Sequence, residues 1–131
     1  MKDGDDESRH VHAELIRVKE SLQAAANLMG DGLFADSVSR SYYAVFHAAR
    51  ACLYKLGYAP STHKGVFVLF NQHLIHPGHF DRTFSQILKE EQSERWLGDY
   101  DSDEKFDRER AELQYQEAIR FVDAAKKFLK S

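Results

Sequence analysis

The chain has 131 residues, of which 43% are hydrophobic and 30% charged, with 18 Lys and Arg against 21 Asp and Glu for a formal charge of −3. That length suits one domain with its own core, and no apolar run approaches the roughly 20 residues that span a bilayer. The acidic balance excludes the broad basic surface that grips nucleic acid nonspecifically, so no DNA partner is expected and any contact with RNA is confined to a small cleft or assisted by a partner.

Two prolines and abundant Ala, Leu, Glu and Lys favour an all-α fold. The first residues, Met1 to Glu7, are acidic and lack an apolar core, so they are no signal peptide, and the expected location is cytoplasmic. Residues 1–8 read as a short disordered acidic tail, and residues 9–131 as the folded domain. The periodicity predicts a first helix from about Arg9 to Met29, with Leu15, Val18, Leu22, Ala25, Ala26 and Met29 inward. Gly30-Asp31-Gly32 stops it, because glycine accepts the left-handed conformation that ends helices. A central helix follows from about Leu33 to Leu56, with Gly57 as its stop. A third, capped by Ser61 or Thr62, covers about His63 to Ile75. Gly65 to Phe70 alone could pass for a buried strand, but no second convincing strand exists to pair with it. After the turn His76-Pro77-Gly78-His79, a fourth helix is expected over about Phe80 to Leu97, with Phe80, Phe84, Ile87 and Leu88 inward. The last helix, capped by Ser102 or Asp103, runs to about Leu129. Short connections place sequential helices antiparallel, so the expected fold is a single antiparallel bundle of about five helices.

The central helix carries the chemistry. Phe34, Val38, Tyr42, Val45, Ala49, Cys52, Leu53 and Leu56 form an apolar stripe at helical spacing. Opposite lie Asp36, Arg40, Tyr43, His47, Ala51 and Tyr54. Arg40 and His47 are seven apart, hence within about 20° on the wheel and roughly 10 Å along the axis. Between Ser37 and Tyr54 the only charged residues are Arg40 and Arg50. A solvated face carries mixed charge, so this face is expected to pack against something while keeping its Arg and His. A guanidinium fork suits a phosphate, and an imidazole moves protons near neutrality. Together they can cleave RNA without a metal: His47 as base or acid at the ribose 2′-hydroxyl or leaving oxygen, Arg40 on the phosphate. One histidine does not serve comfortably as both base and acid, and a two-fold dimer would supply a second.

Cys52, on the inward stripe, reads as a small core residue and not as a nucleophile. His73, His76 and His79 straddle a proline turn with no Cys or Glu to complete a ligand set, so neither metal nor other cofactor is expected. In Arg95-Trp96-Leu97-Gly98-Asp99-Tyr100-Asp101, Asp99 and Tyr100 read as structural turn and packing residues. Arg95 stays open as a further phosphate contact.

The run Ser39-Arg40-Ser41-Tyr42-Tyr43-Ala44-Val45-Phe46-His47-Ala48-Ala49-Arg50 resembles the hallmark of short stand-alone HEPN proteins, the higher eukaryotes and prokaryotes nucleotide-binding domain. Thr62-His63-Lys64-Gly65-Val66, then Leu69-Phe70-Asn71, then Arg95 with Gly98-Asp99-Tyr100-Asp101 occur in the same order, so the resemblance covers about residues 10–130. It implies an up-and-down helical bundle, usually a homodimer, often paired in prokaryotes with a separately encoded nucleotidyltransferase in a toxin–antitoxin arrangement. Many HEPN members are metal-independent ribonucleases built on an Arg, four to six residues, then a His, a spacing that Arg40 and His47 meet at its long end. Active members often place Asn, Asp or His directly after the Arg; here it is Ser41.

Two functional readings follow from the resemblance. In the first, the chain is an endoribonuclease toxin neutralised by a nucleotidyltransferase antitoxin: Arg40 and His47 are catalytic, and Tyr43, Arg95, Asp36 and Tyr54 contact the RNA or nucleotide. In the second, the same residues belong to a non-catalytic module that binds a nucleotide or partners a nucleotidyltransferase.

Overall fold

A computed structural model describes residues 2–90 and 106–131, and all regular structure among them is helical. Helix α1 (Lys2–Gly30) starts at Lys2, ahead of the start near Arg9 that the tail reading implies. An acidic run suits this end of a helix, where the dipole is positive. Its inward line is Glu14, Val18, Ser21, Ala25 and Met29, all buried, with Leu15, Leu22 and Ala26 half-buried beside it. Gly32, at φ 80°, turns the chain.

Helix α2 (Phe34–Lys55) runs antiparallel to α1: Ser37 Oγ donates to the Ala25 carbonyl at 2.8 Å, and His47 meets Glu14 nearer the other end. It is the centre of the molecule, packing most extensively on α1 and next on α5. The predicted stripe Val38, Tyr42, Val45, Ala49, Cys52 and Leu53 is fully inward, but so are Ala44, Ala48 and Ala51. Ala51, on the polar face by helical spacing, is fully buried instead. Leu56 departs from the stripe and is 38% exposed, because the helix ends at Lys55 and Gly57, at φ 91°, turns the chain aside.

Helix α3 (His63–Phe70) is capped by Thr62, whose Oγ1 accepts from Gly65 N at 2.9 Å. A Cβ on Gly65 would lie 2.9 Å from that oxygen, so a larger residue there would make Thr62 shift. The helix widens into a π turn over Asn71–Ile75, closed by His76 N donating to the Asn71 carbonyl at 2.9 Å. Helix α4 is described over 82–90, where Ile87 and Leu88 are buried as expected. Helix α5 (Arg108–Lys130) begins after Asp107, and the expected caps Ser102 and Asp103 lie outside the described residues. Asp107 takes that role, its Oδ1 accepting from Arg110 N at 2.9 Å.

Helix α5 runs parallel to α2, as paired contacts near both ends show: Arg108 lies over the Phe34 ring, and Cys52 Sγ meets the Ala125 carbonyl at 3.9 Å. Lys55 Nζ finishes the seam by donating to the carbonyls of Phe128 (2.9 Å), Leu129 (3.3 Å) and Ser131 (2.7 Å), the groups a helix C-terminus leaves open. Phe70, Phe80, Phe84 and Phe121 pack ring against ring in the core between α3, α4 and α5. Among the described residues no helix is long and apolar enough to cross a membrane.

Candidate functional site

Helical spacing carries Arg40, Tyr43 and His47 along one edge of α2, and the structure brings all three to one solvent-open hollow of about 460 Å³. Its opposite wall is α1, which contributes Arg17, Glu20 and Ser21. Arg40 and Arg17 are exposed and make no ion pair among the described residues. The Tyr43 ring lies alongside the His47 imidazole, with centroids 6.4 Å apart and planes 25° apart. A neighbouring hollow of about 440 Å³ shares Arg40 and Tyr43 and adds Asp36 and Ser39, so the two form one continuous edge.

His47 is not an idle surface side chain. Its Nδ1 lies 2.6 Å from Glu14 Oε2, and the two side chains are only 14% and 8% exposed. The other carboxylate oxygen of Glu14 lies 3.3 Å from Arg50 Nη1. A charge removed from water costs several kcal/mol unless it is paired, and here His47 and Arg50 share the pairing. Arg50 is itself boxed in: its Nη2 donates to Tyr54 Oη at 2.8 Å, and its guanidinium lies over the Phe46 and Tyr54 rings. Tyr54 is therefore spent on Arg50, and on a stack with His10 at 4.8 Å, and lines neither hollow.

Other sequence candidates lie elsewhere. Arg95, Asp99 and Tyr100 are outside the described residues. His73 stacks on Tyr58 with centroids 4.1 Å apart, and His79 sets its edge on Phe128. Among the described residues no group of three His, Cys, Asp or Glu is placed to hold a metal ion. Burial pushes the Cys52 thiol up to about 12, against the opposing pull of the Lys55 charge. Tyr42, on the core side of α2, hydrogen-bonds His63 Nδ1 at the start of α3 and so ties the loop after α2 to the helix that carries the site.

The sequence model of the HEPN domain matches residues 14–130. The chain belongs to the HEPN domain family. Among curated relatives, "Putative toxin MJ0605" of Methanocaldococcus jannaschii is 34% identical over 120 residues, covering 92% of this chain and 89% of its own length. "UPF0332 protein glr0978" of Gloeobacter violaceus is 38% identical over 114 residues, covering 86% and 90%. "Putative toxin MJ0142", also from Methanocaldococcus jannaschii, is 28% identical over 121 residues, covering 92% and 82%.

Sequence reasoning misses the α1 half of the hollow. Arg17 and Glu20 had no motif to mark them. Glu14 did leave a signal, since it stands four before Val18 on the line that continues through Ser21, Ala25 and Met29. A charged residue on an inward line asks for a buried partner. Ser41, which follows Arg40 where active family members often carry Asn, Asp or His, is fully buried, and its hydroxyl has no hydrogen-bond partner among the described residues.

Proposed function

We propose that this HEPN protein is a metal-independent endoribonuclease, the toxin of a toxin–antitoxin pair whose antitoxin is a nucleotidyltransferase. The observation that carries the reading is the meeting of Arg40, Tyr43 and His47 at one open hollow whose two arginines make no ion pair among the described residues. The toxin role draws on the names of two relatives.

The chemistry runs by transfer within the RNA. A base takes the proton of a ribose 2′-hydroxyl, the 2′-oxygen attacks the adjacent phosphorus, and the 5′-oxygen leaves with a proton from an acid. The products are a 2′,3′-cyclic phosphate and a 5′-hydroxyl. Arg40 holds the phosphate as negative charge builds on its oxygens. His47 makes one of the two proton transfers, and Tyr43 offers a ring on which a base can stack. The second transfer falls to the same hollow in a two-fold partner copy, which makes a homodimer the working unit.

The test is cleavage of a mixed pool of structured and single-stranded RNAs with EDTA present. Wild type should cut, while His47→Ala and Arg40→Ala, each confirmed folded by circular dichroism, should not. A second reading, a non-catalytic nucleotide-binding or nucleotidyltransferase-partner module, is favoured by Ser41: the position after Arg40 points into the protein and offers nothing to a substrate. Nucleotide binding with no cleavage by any of the three proteins would select it.

A further inference from the structure

The inward line of α1 holds one residue that packing does not call for. Val18, Ser21, Ala25 and Met29 are small or apolar, yet Glu14 is as buried as they are, at 6% exposure. An apolar side chain would bury better there, so the carboxylate has another use. Its two oxygens divide the work: Oε1 meets the Arg50 guanidinium at 3.3 Å and Oε2 meets His47 Nδ1 at 2.6 Å. An ionised carboxylate has only acceptors, so the shared hydrogen belongs to Nδ1. In the neutral ring the lone pair is then left on Nε2, which points away from Glu14. Glu14 lines neither hollow, whereas His47 lines the one that holds Arg40.

We propose that Glu14 is a positioning residue for His47. It fixes one tautomer and one ring rotation, so that Nε2 is the nitrogen presented to the hollow. Arg50 supplies the balancing charge from three residues further along α2, and its hydrogen bond to Tyr54 Oη holds it on the Glu14 side. Glu14 is also excluded as the second proton-transfer group, because both its oxygens are engaged behind the imidazole. The consequence for rate rests on the nuclease reading; the tautomer does not.

The tautomer is read on the full-length, nitrogen-15-labelled protein by long-range proton–nitrogen correlation, with exposed His12 in the same spectrum as reference. With its ring neutral, His47 should show a protonated Nδ1 and a bare Nε2, a pattern distinct from that of the exposed His12 ring. An averaged or Nε2-protonated His47 overturns the proposal, whether or not the protein cuts RNA. In cleavage, Glu14→Gln should lower kcat on the order of 10- to 100-fold with KM within about threefold, and Glu14→Asp, which keeps the charge, should recover part of the loss. If wild type cuts and folded Glu14→Gln keeps kcat within twofold, Glu14 is only a helix fastener and the proposal fails. If wild type cuts nothing but His47 shows the fixed tautomer, the positioning stands and the nuclease reading falls.

Discussion

Helix α2 has two seams that differ in kind. Toward α5 it is dry: Tyr42, Val45, Ala49 and Cys52 share a core with Ala118, Phe121, Val122 and Ala125, Val38 packs with Ala111, and the Cys52 thiol makes a weak contact to the Ala125 carbonyl across its middle. Toward α1 it is polar inside: Ser37 bonds a backbone carbonyl, and Glu14 is shared by His47 and Arg50. The dry seam supplies area removed from water, which any apolar residues of the right size could supply. The polar seam gains little net stability from its charges but fixes which atoms face the hollow. A single helix thus separates what holds the fold from what shapes the hollow.

Substitutions on the two sides should show that separation. The largest effect on folding is expected from Phe121→Ala, which removes a fully buried ring packed against Phe70, Phe80 and Phe84. Urea unfolding should show a loss of about 3–5 kcal/mol, with cleavage per folded molecule unchanged. On the other side, His47→Ala should lower cleavage by roughly 10²- to 10⁴-fold while the unfolding free energy moves by only about 1 kcal/mol, because Arg50 still pairs with Glu14. If His47→Ala unfolded the protein as thoroughly as Phe121→Ala, the division between the seams would be lost.

The dry seam has a pH signature of its own. Cys52 is raised from an ordinary 9.0 to about 12 by burial, so between those values the unfolded chain gives up a proton that the folded chain keeps. The Cys52 contribution is fully present below about pH 9 and is lost as pH rises toward 12, at about 1.4 kcal/mol per pH unit. Denaturant midpoints measured from pH 8 to 11 should show that slope, and Cys52→Ala should flatten it. The smallest effect is expected at the rim of the polar seam. Arg17→Ala should raise KM for RNA several-fold and weaken its salt dependence, with kcat within about twofold, since one exposed guanidinium adds a phosphate contact and no chemistry.

This division also explains what could be read in advance. The dry seam repeats at helical spacing, so Val38, Tyr42, Val45, Ala49 and Cys52 announce themselves, as does the alignment of Arg40, Tyr43 and His47. Their meeting with Arg17 and Glu20 depends on how α1 lies across α2, which periodicity within one helix does not encode. Glu14 stands 33 residues from His47 in the chain and becomes legible only as an out-of-place charge on an inward line. Tyr54 shares the predicted face of α2 but is about two turns past the hollow, where Arg50 claims it. Ala51 and Leu56 were misplaced because a wheel assigns faces without knowing how many neighbours a helix has or where it stops.

The widened turn at Asn71–Ile75 has an evolutionary reading. A π turn spends one residue more than the helix around it needs, which is what a single-codon insertion into a straight helix produces. Asn71 absorbs the surplus: its side-chain amide donates to the Phe67 carbonyl at 2.9 Å, and its Oδ1 accepts from Ser85 Oγ of α4 at 2.5 Å. The surplus residue is thus taken up inside the turn, so that Leu74 and Ile75 stay in the core while Gln72 stays exposed.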